Sequence, residues 1–209
     1  IFIADEVVTG FGRLGHFFSS EEIFGVVPDI ITCAKGITSG YLPLGAVLFS
    51  NKLIADLKDD SSLFFHGYTY SGHPACCAAA LKNIEILKRD KILEHVKEIE
   101  PYFFEKLNSL YELPIVGDIR GKGLMAGIEC VINKDSKEAL VLDKAIGSRI
   151  DEESIKLGLI IRPLYHICVL SPALIINKEQ INELTEKLYQ AISNTINQLK
   201  NEGLWSQTK

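Results

Sequence analysis

The sequence predicts an α/β chain in two parts, residues 1–110 and a smaller α+β unit over 111–209. Three observations carry that expectation. Short continuous apolar runs at 1–8, 29–34 and 46–50 are bounded by Gly, Pro or Asn, the pattern of strands buried on both faces. Apolar residues then recur at three- and four-residue steps, which is helical periodicity. From Pro114 onward Gly117, Gly121 and Gly123 punctuate a strand–turn–strand pattern, and the change of composition places a boundary near 108–114.

Pro74 is a favourable first helical residue. A helix is expected over 75–88, with Ala80, Ile84 and Leu87 on one face. A second is expected over 91–110, with Ile92, Val96, Ile99, Phe103 and Leu107 in a stripe. A strand at 124–131 follows. A helix over 142–157 then ends at Gly158, a good residue to follow a helix terminus. Two short strands, 159–162 and 167–170, precede a last helix over about 178–200, which Asn177 can cap.

The chain has 209 residues, 47% hydrophobic and 23% charged, with 22 Lys and Arg against 27 Asp and Glu, a formal charge of −5. This composition excludes wholesale disorder. It gives no basic face for nucleic acid or an anionic membrane. The five cysteines, Cys33, Cys76, Cys77, Cys130 and Cys168, are odd in number and lack metal-ligand spacing, which fits reduced thiols in the cytoplasm and no metal site. No apolar run reaches the roughly 18 residues that span a bilayer. The chain opens directly on an apolar strand pattern, Ile1-Phe2-Ile3-Ala4, without an initiator Met, so we expect it to be the rear part of a longer protein.

Gly10-Phe11-Gly12-Arg13-Leu14-Gly15 matches a dinucleotide fingerprint by letter. Only thirteen residues separate Gly15 from the next strand, barely enough for a crossover helix, and that strand ends in Lys35 rather than an acid that could hold a ribose. We read the glycines as a tight loop beside a ligand.

The informative charges sit at strand ends. Asp5 and Glu6 close the first strand and Lys35 the second, where open α/β sheets bind ligands. A lysine in apolar surroundings deprotonates readily, and a neutral amine can form a Schiff base. On spacing alone, Lys35 as a solvated loop residue and Asp5 as a turn cap are equally open readings.

The stretch Asp5-Glu6-Val7-Val8-Thr9-Gly10-Phe11-Gly12-Arg13 resembles a signature of the class III aminotransferases, pyridoxal-phosphate enzymes of fold type I. Three further segments are similar to family signatures in the same order. They are the run from Pro28 to Ala46 around Lys35, Phe65-His66-Gly67-Tyr68-Thr69-Tyr70-Ser71-Gly72-His73-Pro74, and Gly158 to Pro163 with Leu170-Ser171-Pro172. The third looks most like the ω-amino acid:pyruvate transaminases.

The resemblance implies an incomplete large domain with a mixed, mostly parallel sheet, plus the small C-terminal domain. It implies pyridoxal 5'-phosphate held by Lys35 as a Schiff base. Asp5 would pair with the ring nitrogen. Val7, on Asp5's face if the strand runs on, would pack on the ring. Thr69, with backbone help from Tyr68, would reach the phosphate of the neighbouring subunit, which makes the enzyme a homodimer. Tyr41 is placed at the pocket wall, and Arg162 would take a substrate carboxylate, against the plain reading of a surface ion pair. The activity implied is transfer of an amino group from an amine or ω-amino acid to a keto acid such as pyruvate. His66 and His73 receive no catalytic role, Arg120 a structural one and Arg13 a bracing one. The family's front part, with its phosphate turn and its ring-stacking aromatic, has no counterpart in the sequence. A catalytically inactive remnant, a split-enzyme assembly partner, and an aminomutase or racemase of the same class are the alternatives.

Overall fold

The computed structural model describes residues 1–55, 65–135, 138–139 and 143–205. The chain divides into two units, Ile1–Val96 and Lys97–Lys209.

In the first unit β1 (Ile3–Asp5), β2 (Ile30–Cys33) and β3 (Ala46–Phe49) form a three-stranded sheet in that order. β1 and β2 are parallel, with Ile3 opposite Ile30 and Asp5 opposite Thr32, while β3 returns antiparallel to β2. The link from β1 to β2 contains only one four-residue helix, α1 (Ser19–Glu22), and α2 (Asn51–Ala55) follows β3. Helix α3 (Pro74–Arg89) starts at its proline and buries Cys76, Ala80 and Leu87 along one stripe.

Two expectations about these strands need correction. β1 ends at Asp5 rather than running to Val8. Nor are the strands covered on both faces, for Ile3, Val47, Leu48 and Phe49 are exposed. An apolar run reports what a strand must eventually bury, whereas the described residues of this unit supply only a partial cover. Phe11, Cys33, Ile37, Ala46, Leu48 and Ile84 are among the residues that line an apolar cleft of about 350 Å³.

Helix α4 (Ile92–Asn108) runs across the division between units, and a 3₁₀ turn, Ser109–Glu112, extends it. The second unit is built on β4 (Val116–Lys122), β5 (Met125–Asn133), β6 (Glu138–Ala139), β7 (Arg162–Leu164) and β8 (Ile167–Leu170). The strand order is β4-β5-β8-β7, all antiparallel, with β6 paired to β5. Leu159–Ile161 was expected within a strand, but β7 begins only at Arg162. The earlier residues leave the turn after α5 (Asp143–Lys156), where Leu159 N–H bonds back to the Ser154 carbonyl. Leu142, expected to open that helix, lies outside the described residues.

Helix α6 (Lys178–Asn201) presents Ile181, Thr185, Leu188, Ile192, Thr195 and Leu199 as one buried stripe. With Phe103, Leu107, Ile128, Ile146 and Ile150, each 0% exposed, it makes a dense core. Burying side chains of this size contributes about 1.5–3 kcal/mol each before entropy is set against it. Among the described residues no helix is long and apolar enough to cross a membrane.

The start of α6 is fixed by a reciprocal cap. Asn177 Oδ1 accepts from Gln180 N at 2.8 Å, and Gln180 Oε1 accepts from Asn177 N at 3.1 Å. Asn177→Ala therefore costs about 1 kcal/mol. Thermal unfolding should fall by about 2–4 °C for a chain of this size, and an unchanged midpoint would contradict the role of the cap.

Candidate active site

Parallel pairing brings the carboxyl ends of β1 and β2 to one end of the sheet. Asp5 is the last residue of β1 and lies opposite Thr32. Its Oδ1 accepts hydrogen bonds from Val7 N at 3.0 Å and from Thr32 Oγ1 at 3.3 Å. Both donors act on one oxygen and hold the exposed carboxylate in a single orientation. Val7 lies in a turn, not in the strand, so the face-sharing expected from strand alternation does not apply. What joins it to Asp5 is its backbone N–H.

Lys35 does not close β2. It opens a 3₁₀ turn, Lys35–Thr38, two residues beyond the strand, with φ 41°, a left-handed value unusual for a side-chain-bearing residue. Its side chain is exposed, so the apolar surround expected from the sequence is not supplied by this unit.

Glu6 is a residue that sequence reasoning passed over as the companion of Asp5. It is 3% exposed and gathers the loop behind the site. Oε1 accepts from Ser19 N and Ser20 N, both at 2.7 Å, and from Ser20 Oγ at 2.5 Å; Oε2 accepts from Thr9 Oγ1 at 2.5 Å. Burial pushes its pKa up, but the bonds from Ser20, Thr9 and Ser19 outweigh it and hold the carboxyl below its ordinary value. The available signal was a second acid beside Asp5 followed, thirteen residues on, by adjacent serines.

The glycine loop is no dinucleotide cradle. Its amides are consumed internally: Phe11 N by the Phe17 carbonyl at 2.8 Å, Gly12 N by His16 at 3.0 Å, Gly15 N by Gly12 at 2.9 Å. Gly12 and Gly15 take left-handed φ values of 101° and 84°. Instead the loop presses on the lysine turn. A Cβ at Gly36 would stand 2.9 Å from Phe11 Cβ and 3.1 Å from the Gly10 carbonyl oxygen, so only glycine fits. Arg13 is half-buried in this loop, and burial lowers its pKa.

Tyr68 and Thr69 stand on an exposed loop before α3. Tyr68 N donates to Ser71 Oγ at 3.0 Å, which commits within the turn the backbone donor expected to help at the phosphate. His66 meets the Tyr68 ring edge-on at 5.4 Å. Tyr41 is 85% exposed. In the second unit Arg162 opens the edge strand β7 and is exposed. Among the described residues it belongs to no ion pair. Arg120, by contrast, bonds Asp118 at 2.7 Å and also Glu129, and Glu129 lies 3.3 Å from His166 Nε2. The guanidinium thereby holds the Glu129 carboxyl below its usual range.

A family model described as Aminotransferase class-III matches residues 1–192. The chain is 43% identical over 185 residues to a putrescine–pyruvate aminotransferase of Pseudomonas aeruginosa, covering 88% of this chain and 40% of that protein. It is 40% identical over 212 residues to a chloroplastic gamma-aminobutyrate transaminase of Solanum lycopersicum, covering 100% and 40%. Its structure resembles that of a thermostable (S)-enantioselective omega-transaminase from Thermomicrobium roseum, with a TM-score of 0.89, 41% identity and coverage of 94% and 44%. The chain thus spans less than half the length of these relatives.

The depressed pKa of Glu6 has a pH consequence. Because the folded value lies below the unfolded one, the stabilisation is complete above about pH 4.5 and fades as pH falls through the folded value. Glu6→Gln should cost about 1–3 kcal/mol near neutrality. The gap between wild type and variant should then shrink below about pH 4.5. Chemical denaturation of both proteins at pH 7 and pH 4 checks this, and a gap independent of pH would contradict it.

Proposed function

Because the chain belongs to the class-III aminotransferases, we propose that its protein is a pyridoxal-phosphate-dependent transaminase. It moves an amino group from an amine or ω-amino acid to a keto acid such as pyruvate. The observation that carries the reading is the juxtaposition of Asp5, fixed by Val7 N and Thr32 Oγ1, with Lys35 at the same end of a parallel strand pair. An oriented acid and an exposed amine at one end of the sheet are two of the groups that pyridoxal phosphate needs, one for its ring nitrogen and one for its aldehyde, and these residues fit it. Residues 1–110 are then the rear of a large cofactor-binding domain and 111–209 the small domain.

When bound, the cofactor supplies an electron sink for charge that develops on the substrate carbon. The chain's own residues divide the remaining work. Lys35 Nζ anchors the cofactor and, once released, accepts and returns a proton as the base. Asp5 presents its carboxylate to the ring nitrogen and keeps that nitrogen protonated. Its Oδ1 is already committed to Val7 N and Thr32 Oγ1, so the group needs little reorganisation to do this. The Val7 side chain, carried by the turn after β1 rather than by the strand, would pack on the ring.

Thr69 offers its hydroxyl to the phosphate of the neighbouring subunit in a homodimer, with Tyr68 beside it. The exposure of their loop supports that role. Tyr41 lines the substrate pocket. Arg162, cationic and without an ion-pair partner among the described residues, takes the substrate carboxylate through its guanidinium fork. The five free thiols support a cytoplasmic location. The partners proposed are the amine, the keto acid and a second copy of the chain, with no nucleic acid and no membrane.

In the complete protein, Lys35→Ala should abolish both the cofactor's visible absorption band and turnover, and near-normal turnover in that variant would overturn the assignment. Arg162→Ala should lower kcat/KM for a keto acid by about 10- to 100-fold, the worth of a charged hydrogen-bonded pair. Simple amines should be affected far less. Equal loss for both substrates would contradict the carboxylate role.

A further inference from the structure

We infer that Asn83 is a positioning residue for Lys35, its side-chain amide clamping the turn that holds the lysine backbone left-handed. The inference rests on the reading of Lys35 as the cofactor lysine. Asn83 lies midway along α3, in the same unit. Its Nδ2 donates to the Gly36 carbonyl at 2.8 Å and to the Ile37 carbonyl at 3.1 Å. These are the two carbonyls that follow Lys35. Both partners are acceptors, so only the amino end of the amide can face them, and its two N–H groups are both used.

Lys35 needs such a clamp. A φ of 41° costs any residue with a Cβ, and such strain persists only where the surroundings over-determine it. The turn's own bonds at the lysine end are Ile37 N to the Ala34 carbonyl at 3.0 Å, Ser39 N to Gly36 at 3.2 Å and Gly40 N to Lys35 at 3.2 Å, while Tyr41 N to Thr38 at 3.1 Å and Thr38 Oγ1 to the Leu42 carbonyl at 2.6 Å fix its far end. Two outside elements add the rest. The glycine loop closes one side, where Gly36 has no room for a Cβ against Phe11 and Gly10. Asn83 holds the same turn from helix α3. Without its two bonds the Gly36 and Ile37 carbonyls lose a donor, and Lys35 can relax toward ordinary backbone geometry. The amine is then displaced from the place that Asp5 shares with it.

The test uses the complete protein carrying Asn83→Leu, Asn83→Asp or Asn83→Gln, with wild type and Lys35→Ala as references. Leu keeps the size and removes both donors. Asp sets a carboxylate against two carbonyl oxygens. Gln retains the donors on a longer arm. Three readouts are taken: the pH dependence of Lys35 labelling by trinitrobenzenesulfonate in cofactor-free protein, located by peptide mass spectrometry; the pH midpoint of the pyridoxal-phosphate absorption band; and turnover. Thermal midpoints are recorded for all variants.

The expected result is a shift of both pH profiles in Asn83→Leu and Asn83→Asp, with turnover lower by about 10- to 100-fold, the scale of an ångström's misplacement. Asn83→Gln should recover most of each change. A folded Asn83→Leu with wild-type profiles and turnover would overturn the inference while leaving the Lys35 reading intact. If Asn83→Leu does not fold, the comparison of Asp with Gln decides. Equal impairment in the two, tracking thermal stability alone, would overturn it as well. A wild type without a Lys35-dependent band would overturn the reading of Lys35 and this inference together.

Discussion

A parallel strand pair must carry its chain back outside the sheet before the second strand can begin. Here that requirement shapes the site. β1 and β2 pair over three residues, so Asp5 and the chain leaving β2 emerge at the same end. Parallel pairing normally calls for a crossover of a dozen or more residues, usually helical. Between Asp5 and Ile30 the chain has 24 residues, yet only four of them are helix. The rest is a loop with its own hydrogen-bonded closure, and something has to hold it.

Glu6 does so. One buried carboxylate accepts four hydrogen bonds from Thr9, Ser19 and Ser20, and so ties the start of the loop to its far side. A charge in that position is costly unless its lone pairs are filled, and here they are. The loop then seats Phe11 and Gly10 against Gly36, which makes the backbone of the lysine turn depend on the strand that carries Asp5. Acid and amine are thus coupled through the fold: Asp5 by its neighbours Val7 and Thr32, the Lys35 turn by the loop and by α3.

Much of this was legible in the sequence, and unevenly so. Helices with long apolar stripes were placed to within a few residues, because periodicity sums over many positions; α6 and its Asn177 cap are examples. Strand ends were less secure. The apolar letters of Val7 and Val8 extend the pattern of β1, but the Asp5 carboxylate captures the Val7 N–H and turns the chain there. In the same way, Lys35 reads as a strand terminus only until the turn that carries it is seen. Asn83 breaks the apolar face of α3, a signal that says a polar group is wanted there but not by what. Its meaning lies in the Gly36 and Ile37 carbonyls, 47 and 46 residues away.

The arginines of the second unit differ in how their charge is held. Arg120 is bound by Asp118 and Glu129, and Arg149 by Glu202 at 2.8 Å, so each is already neutralised by a fixed partner. Arg162 stands on a three-residue edge strand, exposed and outside any ion pair among the described residues. A guanidinium held by protein carboxylates has little left to offer a ligand, because a new anion must compete with an existing one. One that faces solvent gives up only water when a carboxylate arrives, and regains water when a substrate lacks one. On the proposed reading of Arg162 as the carboxylate site, the same arginine would serve an ω-amino acid or keto acid that carries a carboxylate and stand aside for an amine that does not.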